Sequence, residues 1–85
     1  MDVQLEVLRM LDEVLSLGGR ALRFRTDTPL VGAVPELDSM AVVSVVTTLQ
    51  DRLGVVFHDD DIDGASFRTV GDLVRLVEAR LASPE

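Results

Sequence analysis

Residues 38–54, DSMAVVSVVTTLQDRLG, determine which fold the chain can adopt. Their β-branched valines and threonines favour a strand when propensity alone is considered. The spacing of the apolar residues favours a helix, because a single helical face would hold Val42, Val46, Leu49 and Leu53. Asp38 and Ser39 provide helix-capping chemistry, and Gly54 provides a stop. The signals at both ends agree with the helical spacing of the apolar residues, so the sequence predicts a helix over residues 39–53.

A second amphipathic helix is predicted upstream, over residues 2–17. Asp2 can cap its start, and Gly18 and Gly19 can end it because glycine readily adopts left-handed backbone conformations. Its apolar face would consist of Val3, Val7, Leu8, Leu11, Val14 and Leu15.

A long connection, residues 20–38, joins these two helices. Loops of this length in small domains are usually functional or packed on the core. The residues expected to pack it are Leu30, Val31 and Val34. Its basic residues are interpreted as a solvated surface that balances the acidic remainder: Arg20, Arg23 and Arg25.

In the C-terminal part, the sequence predicts a short helical turn over residues 60–67 and a last helix over residues 70–82. Thr69 precedes Asp72 by three residues, which resembles a capping box with Asp in place of Glu. The apolar stripe of the last helix would be Val70, Leu73, Val74, Val77 and Leu81. The sequence therefore predicts an all-α bundle of three main helices and one short helix, in a single domain over residues 1–85.

The charge and composition exclude several classes of function. The chain of 85 residues has a net charge of -7, which disfavours nucleic acid as a partner and favours basic protein surfaces. It has no Cys and no Lys, so thiolate catalysis, Cys-ligated zinc and Schiff-base chemistry are excluded. The sequence has neither a secretory signal pattern nor an apolar run long enough to span a bilayer, so we expect a cytoplasmic location.

Ser39 is the candidate functional residue because it opens the central helix. Unpaired backbone N–H groups and the helix dipole favour an anion there, so a phosphate on Ser39 would be well tolerated. Asp38 could orient the serine or bind a metal ion used by a modifying enzyme. The simpler alternative is that both residues only cap the helix. A serine nucleophile would need a nearby base, and the only histidine is His58.

Motifs along nearly the whole chain resemble one family. Residues 36–40, ELDSM, resemble the (G/L)-x-D-S-(L/M) attachment motif of acyl carrier proteins. The following helix ends in DRLGV at residues 51–55, and an acidic stretch follows at residues 59–61. Residues 67–74, FRTVGDLV, resemble the start of the family's last helix. The order and spacing of these parts make the resemblance specific.

The resemblance implies a non-enzymatic carrier with 4′-phosphopantetheine attached covalently to Ser39. A separate phosphopantetheinyl transferase would attach the arm, whose thiol would carry acyl groups as thioesters. Asp38 and Met40 would flank this cofactor site. Other partners would be acyl-transferring, ligase or synthase enzymes, and the family implies a monomer. An acyl chain could tuck into the bundle among Val42, Val46, Leu49, Phe57, Ile62, Leu73 and Val74, which are otherwise ordinary core residues.

The central helix departs from the family pattern on its outer face. The family often carries several acidic residues there, whereas this chain has Met40, Val43, Ser44, Thr47 and Asp51. We therefore expect partner docking to depend more on apolar contact through Met40 and Val43. The sequence is consistent with a carrier for fatty-acid biosynthesis and at least as consistent with a carrier for specialised acyl or polyketide synthesis.

A second motif suggests an alternative function. Asp59, Asp61, Asp63 and Gly64 match the first half of a calcium-binding EF-hand loop. The match fails further on, because Val70 stands where a bidentate Glu is expected and Ser66 where an apolar residue is usual. The alternative is a calcium-binding or protein-binding helical module. We favour a solvated acidic turn and expect no metal site.

Overall fold

Three α-helices form the frame of the computed structural model, which describes residues 2–58, 61 and 65–82. In chain order they are α1 (Val3–Leu15), α2 (Ser39–Leu53) and α3 (Val70–Ala82). A 3₁₀ helix, Arg20–Arg23, follows α1 within the segment predicted as an irregular connection. Among the described residues, extended pairing is limited to one isolated antiparallel bridge between Pro29 and Thr69. The predicted all-α fold is confirmed.

Helix α2, whose sequence gave conflicting signals, has the predicted bounds. The Asp38 carboxylate accepts a hydrogen bond from the Ala41 N–H at 2.8 Å, and Gly54 ends the helix with a left-handed φ of 68°. The core face is centred on Val45, which is fully buried. It is rotated slightly from the predicted face, because two of the predicted core residues are only half-buried: Val42 and Leu53.

Helix α1 ends earlier than the sequence predicts. Ser16, rather than Gly18 or Gly19, adopts the left-handed conformation that ends the helix, with a φ of 54°. The Leu17 N–H then donates to the Asp12 carbonyl oxygen at 3.0 Å, as in a Schellman turn. Leu17 is buried, so early termination returns an apolar side chain to the core.

The connection between α1 and α2 is tied to the start of α3 by backbone hydrogen bonds. Leu30 N–H donates to the Arg68 carbonyl at 2.9 Å, and Gly71 N–H donates to the Thr26 carbonyl at 2.8 Å. Leu30 is fully buried, as predicted. Val31 is 48% exposed, so the prediction that it packs on the core is wrong. Val31 begins a turn, in which the Ala33 and Val34 N–H groups both donate to the Leu30 carbonyl, and this turn leaves the Val31 side chain on the surface.

The start of α3 is capped as the sequence predicts. Thr69 Oγ1 accepts from the Asp72 N–H at 3.2 Å, and its hydroxyl donates to the Asp72 carboxylate at 3.1 Å. The hydroxyl bond from Thr69 is the main cause that lowers the pKa of Asp72, with Arg75 adding to it. Four of the eight residues of the predicted short helix over residues 60–67 lie outside the described residues, and residues 65–67 form a turn.

Helix α1 packs against both α2 and α3, and one aliphatic core joins them. The fully buried side chains of this core include Val7, Leu11, Leu30, Val45, Leu49, Phe67, Val70, Leu73 and Val77. Within the described part of the chain, no helix combines the length and hydropathy needed to cross a membrane.

Gly71 tests how tightly the connection packs on α3. Helix propensity alone predicts that Gly71→Ala stabilises the fold by about 1 kcal/mol. The structure predicts the opposite, because an added Cβ would lie 2.6 Å from Thr26 Cγ2 and 3.1 Å from the Thr26 carbonyl oxygen. We expect a loss of about 1–3 kcal/mol in urea unfolding. The loss should be smaller in a Thr26→Ser background, and a stabilised Gly71→Ala variant would contradict the packing.

Asp12 gives a second stability test. Its carboxylate is half-buried and accepts from the Gly19 N–H at 2.8 Å and the Ala21 N–H at 3.2 Å, which anchors the 3₁₀ helix to α1. We expect Asp12→Ala to lower the free energy of unfolding by about 1–3 kcal/mol, because both donors lose their partner. Asp12→Asn keeps one acceptor oxygen and should cost less. Equal stability of all three proteins would show that these bonds contribute nothing.

Candidate functional site

Ser39 is the first residue of α2, and its side chain is exposed. The residues before it fix this position. Leu37 is buried in the core, and Asp38 adopts an extended conformation that lets its carboxylate cap the helix. The buried leucine and the capping aspartate therefore hold the serine hydroxyl outward at the end of a rigid element.

The backbone at this end of α2 suits an anion. The Asp38 carboxylate is bonded to the Ala41 N–H, and the Asp38 carbonyl accepts from the Val42 N–H at 2.9 Å. The N–H groups of Ser39 and Met40 belong to the first turn of α2, where backbone N–H groups have no acceptor within the helix. Together with the helix dipole, they stabilise negative charge. A phosphodiester on the Ser39 oxygen fits this environment without displacing a core residue.

An ion pair beside the site was not predicted from the sequence. The Arg20 guanidinium on the 3₁₀ helix binds the Glu36 carboxylate, three residues before Ser39. A hydrogen bond from the backbone and then the Arg20 bond lower the pKa of Glu36. The Arg20 side chain is 61% exposed, as the interpretation of a solvated surface requires, and Glu36 is the acidic residue whose charge it balances. No local pattern joins residues 16 positions apart, so only the tertiary fold reveals the pair.

The outer face of α2 is apolar where it adjoins the serine. Met40 is 80% exposed and Val43 is 62% exposed, as the sequence predicts. Asp51, also exposed, lies three turns further along the helix. Arg52 in the last turn is paired with Glu13 of α1.

The residues predicted to line an acyl chain belong to the core. Leu49 and Leu73 are fully buried, and Val46, Phe57 and Val74 are nearly so. Val42 is half-buried, and Ile62 lies outside the described residues. All six described members belong to or pack against one core cluster. Their role in holding cargo stays a prediction.

The calcium-loop alternative falls mostly outside the structure. Asp59, Asp63 and Gly64 are not among the described residues. The Asp61 carboxylate binds the Arg80 guanidinium at 3.0 Å and accepts from the His58 N–H at 2.9 Å. In the part of the chain that is described, no group of three acidic, His or Cys side chains could hold a metal ion. Among the described residues, no hydrogen bond joins His58, the only histidine, to Ser39.

Comparisons with known proteins agree with this geometry. The family model for the phosphopantetheine attachment site matches residues 6–77. The solution NMR structure of a holo acyl carrier protein from Nitrosomonas europaea superposes with a TM-score of 0.89 and 39% sequence identity. The match covers 96% of this chain and 99% of that one. A search of curated proteins found no match.

The family match covers most of the chain, and the structural match includes the whole bundle. Members of this family take a covalently attached 4′-phosphopantetheine and are carriers, not catalysts. The chain belongs to the acyl carrier protein family.

Proposed function

We propose that Ser39 is the attachment residue and that the chain carries acyl groups for a biosynthetic pathway. The observation that supports this most is the exposed Ser39 hydroxyl at the N-terminus of α2, directly after the capping Asp38. When attached, the arm supplies a thiol on which acyl groups are held as thioesters. A chain without cysteine would in this way obtain a thiol.

The chain's own residues would present and tether the arm. Leu37 and the Asp38 cap fix the direction in which Ser39 leaves the bundle, and the N–H groups at the start of α2 stabilise the phosphate. A tethered intermediate meets successive enzymes at a raised effective concentration. The carrier therefore needs no catalytic residue of its own.

The pathway stays open between fatty-acid-like synthesis and specialised acyl or polyketide synthesis. The mostly neutral outer face of α2 favours a carrier with dedicated partners, because a broadly acidic face would suit many basic enzymes. The partners are the phosphopantetheinyl transferase and acyl-transferring, ligase or synthase enzymes. The single domain over residues 1–85, the monomeric state and the cytoplasmic location stay predictions.

Ser39→Ala tests the attachment site. Incubation with coenzyme A and a phosphopantetheinyl transferase should add the mass of one phosphopantetheine group to the wild-type protein, measured by intact-protein mass spectrometry. Ser39→Ala should keep the apo mass. Ser44→Ala is the matched control, since Ser44 is also exposed on α2, and it should be modified like the wild type. Modification of Ser39→Ala would contradict the assignment.

Asp38 can be tested for a role beyond capping. Asparagine caps helices about as well as aspartate, whereas alanine costs about 1 kcal/mol. We expect Asp38→Asn to keep the melting temperature but to slow phosphopantetheine transfer, because the carboxylate charge beside Ser39 is lost. Asp38→Ala should lower both. If Asp38→Asn is modified at the wild-type rate, Asp38 serves the helix alone.

A further inference from the structure

We propose that a groove between α1 and the 3₁₀ helix is a docking surface for a partner protein that presents an acidic segment with a large apolar side chain. The groove is open and has a volume of about 420 Å³. The described residues that line it come from the first half of α1 and the end of the 3₁₀ helix: Asp2, Gln4, Leu5, Leu8, Leu22 and Phe24. The inference goes beyond the proposed function, because docking in this groove requires no arm on Ser39.

The lining of the groove is mainly apolar and is partly in contact with water. Leu22 is 51% exposed, whereas its neighbour Ala21 is fully buried. Leu5 and Phe24 are half-buried. Single exposed leucines are ordinary on protein surfaces, so the exposure of Leu22 matters only because the groove surrounds it with other apolar residues. A partner side chain placed there would remove apolar surface from water and so stabilise a complex.

Side-chain hydrogen bonds hold the two walls of the groove together in the free protein. The Asp12 carboxylate of α1 accepts from the Ala21 N–H of the 3₁₀ helix at 3.2 Å. Further along the connection, the Thr26 hydroxyl donates to the Gln4 side-chain oxygen of α1 at 3.1 Å. The exposed Leu22 lies between these two ties in the sequence. A groove with fixed walls loses little conformational entropy on binding, so more of the free energy of apolar burial contributes to affinity.

The basic residues at the groove favour an acidic occupant. Residues 14–26 include three arginines and no acidic residue, in a protein whose net charge is -7. Arg20 is paired with Glu36. Arg23 and Arg25 are exposed, and within the described part of the chain neither is paired with a carboxylate. They stand on either side of Phe24 in the sequence, so carboxylates of a bound segment can pair with both guanidinium groups.

The acidic residues near the groove leave this positive charge available. The Asp2 carboxylate caps α1 by accepting from the Leu5 N–H at 3.1 Å, and Glu6 is paired with Arg9 at 3.6 Å. Asp27 lies in the turn that follows the basic stretch and is not among the residues that line the groove. The two unpaired arginines are therefore the charges with which a partner can pair.

An acidic protein segment suits the groove better than a nucleic acid or an anionic membrane. Both of those are extended polyanions, so they would also face the acidic remainder of the protein. A single segment with a few carboxylates can contact the two arginines alone. The same segment can supply the apolar side chain that covers Leu22.

The test follows the binding of two synthetic helical peptides by amide NMR spectra of the apo protein. One peptide has two leucines one turn apart with glutamates around them, and in the other glutamines replace the glutamates. The acidic peptide should shift the amides of residues 4–8 and 20–26. It should bind roughly fivefold more tightly than the glutamine peptide, the scale of two exposed ion pairs.

Variants of the groove separate its apolar and charged contributions. Leu22→Gln should weaken binding of the acidic peptide roughly fivefold through lost apolar burial. The double variant Arg23→Gln/Arg25→Gln should bind both peptides equally. Two matched controls lie outside the groove and should bind like the wild type: Val31→Gln replaces a half-exposed valine of the same connection, and Arg68→Gln replaces another exposed arginine. Circular dichroism confirms that each variant is folded.

Several outcomes would overturn the docking inference. They are equal binding of the two peptides by the wild type, amide shifts that fall outside the groove, and shifts at the groove with anionic phospholipid vesicles but not with the acidic peptide. Ser39→Ala should bind the acidic peptide like the wild type. A failure of phosphopantetheine attachment would therefore refute the proposed function alone, and a failure of peptide binding would refute the docking inference alone.

Discussion

Packing of the Val45 face of α2 against α1 keeps a valine-rich segment helical, and the rest of the structure depends on it. Isolated helices of this length are marginal in water, and β-branched residues weaken them further. The segment is therefore helical because of its tertiary burial and its two caps. If α2 were extended, Ser39 would lose the helix N-terminus that makes it a suitable place for a phosphodiester.

The second constraint is how the chain distributes its charge. The net charge of -7 would suggest an acidic surface everywhere, yet Arg20 is paired with Glu36 three residues before Ser39, and Arg52 is paired with Glu13 at the other end of α2. Exposed ion pairs of this kind contribute little to stability. On α2 itself, the exposed residues that adjoin Ser39 carry no charge: Met40, Val43 and Ser44.

Much of the fold, and the position of Ser39 at the start of α2, could be predicted from the sequence because the capping and spacing signals are local. The bounds of α2 follow from the capping Asp38, the terminating Gly54 and the helical spacing of the apolar residues between them. The start of α3 follows from the cap formed by Thr69 and Asp72. The predictions that failed, and the ion pair that was missed, depend on tertiary contacts that no local sequence pattern shows. The end of α1 at Ser16 depends on Leu17 reaching the core, and the Arg20–Glu36 pair exists only once the connection is folded. The prediction for Val31 failed because its exposure depends on the turn that follows Leu30 once the connection is folded.

A helical α2 should present Ser39 as the residue that receives the phosphopantetheine arm. Backbone NMR of the protein before and after attachment of the arm can show this. We expect helical Cα shifts over residues 39–53 in both states, with the largest amide changes at Ser39, Met40 and Ala41. Extended Cα shifts over residues 42–48, or a loaded residue other than Ser39, would contradict it.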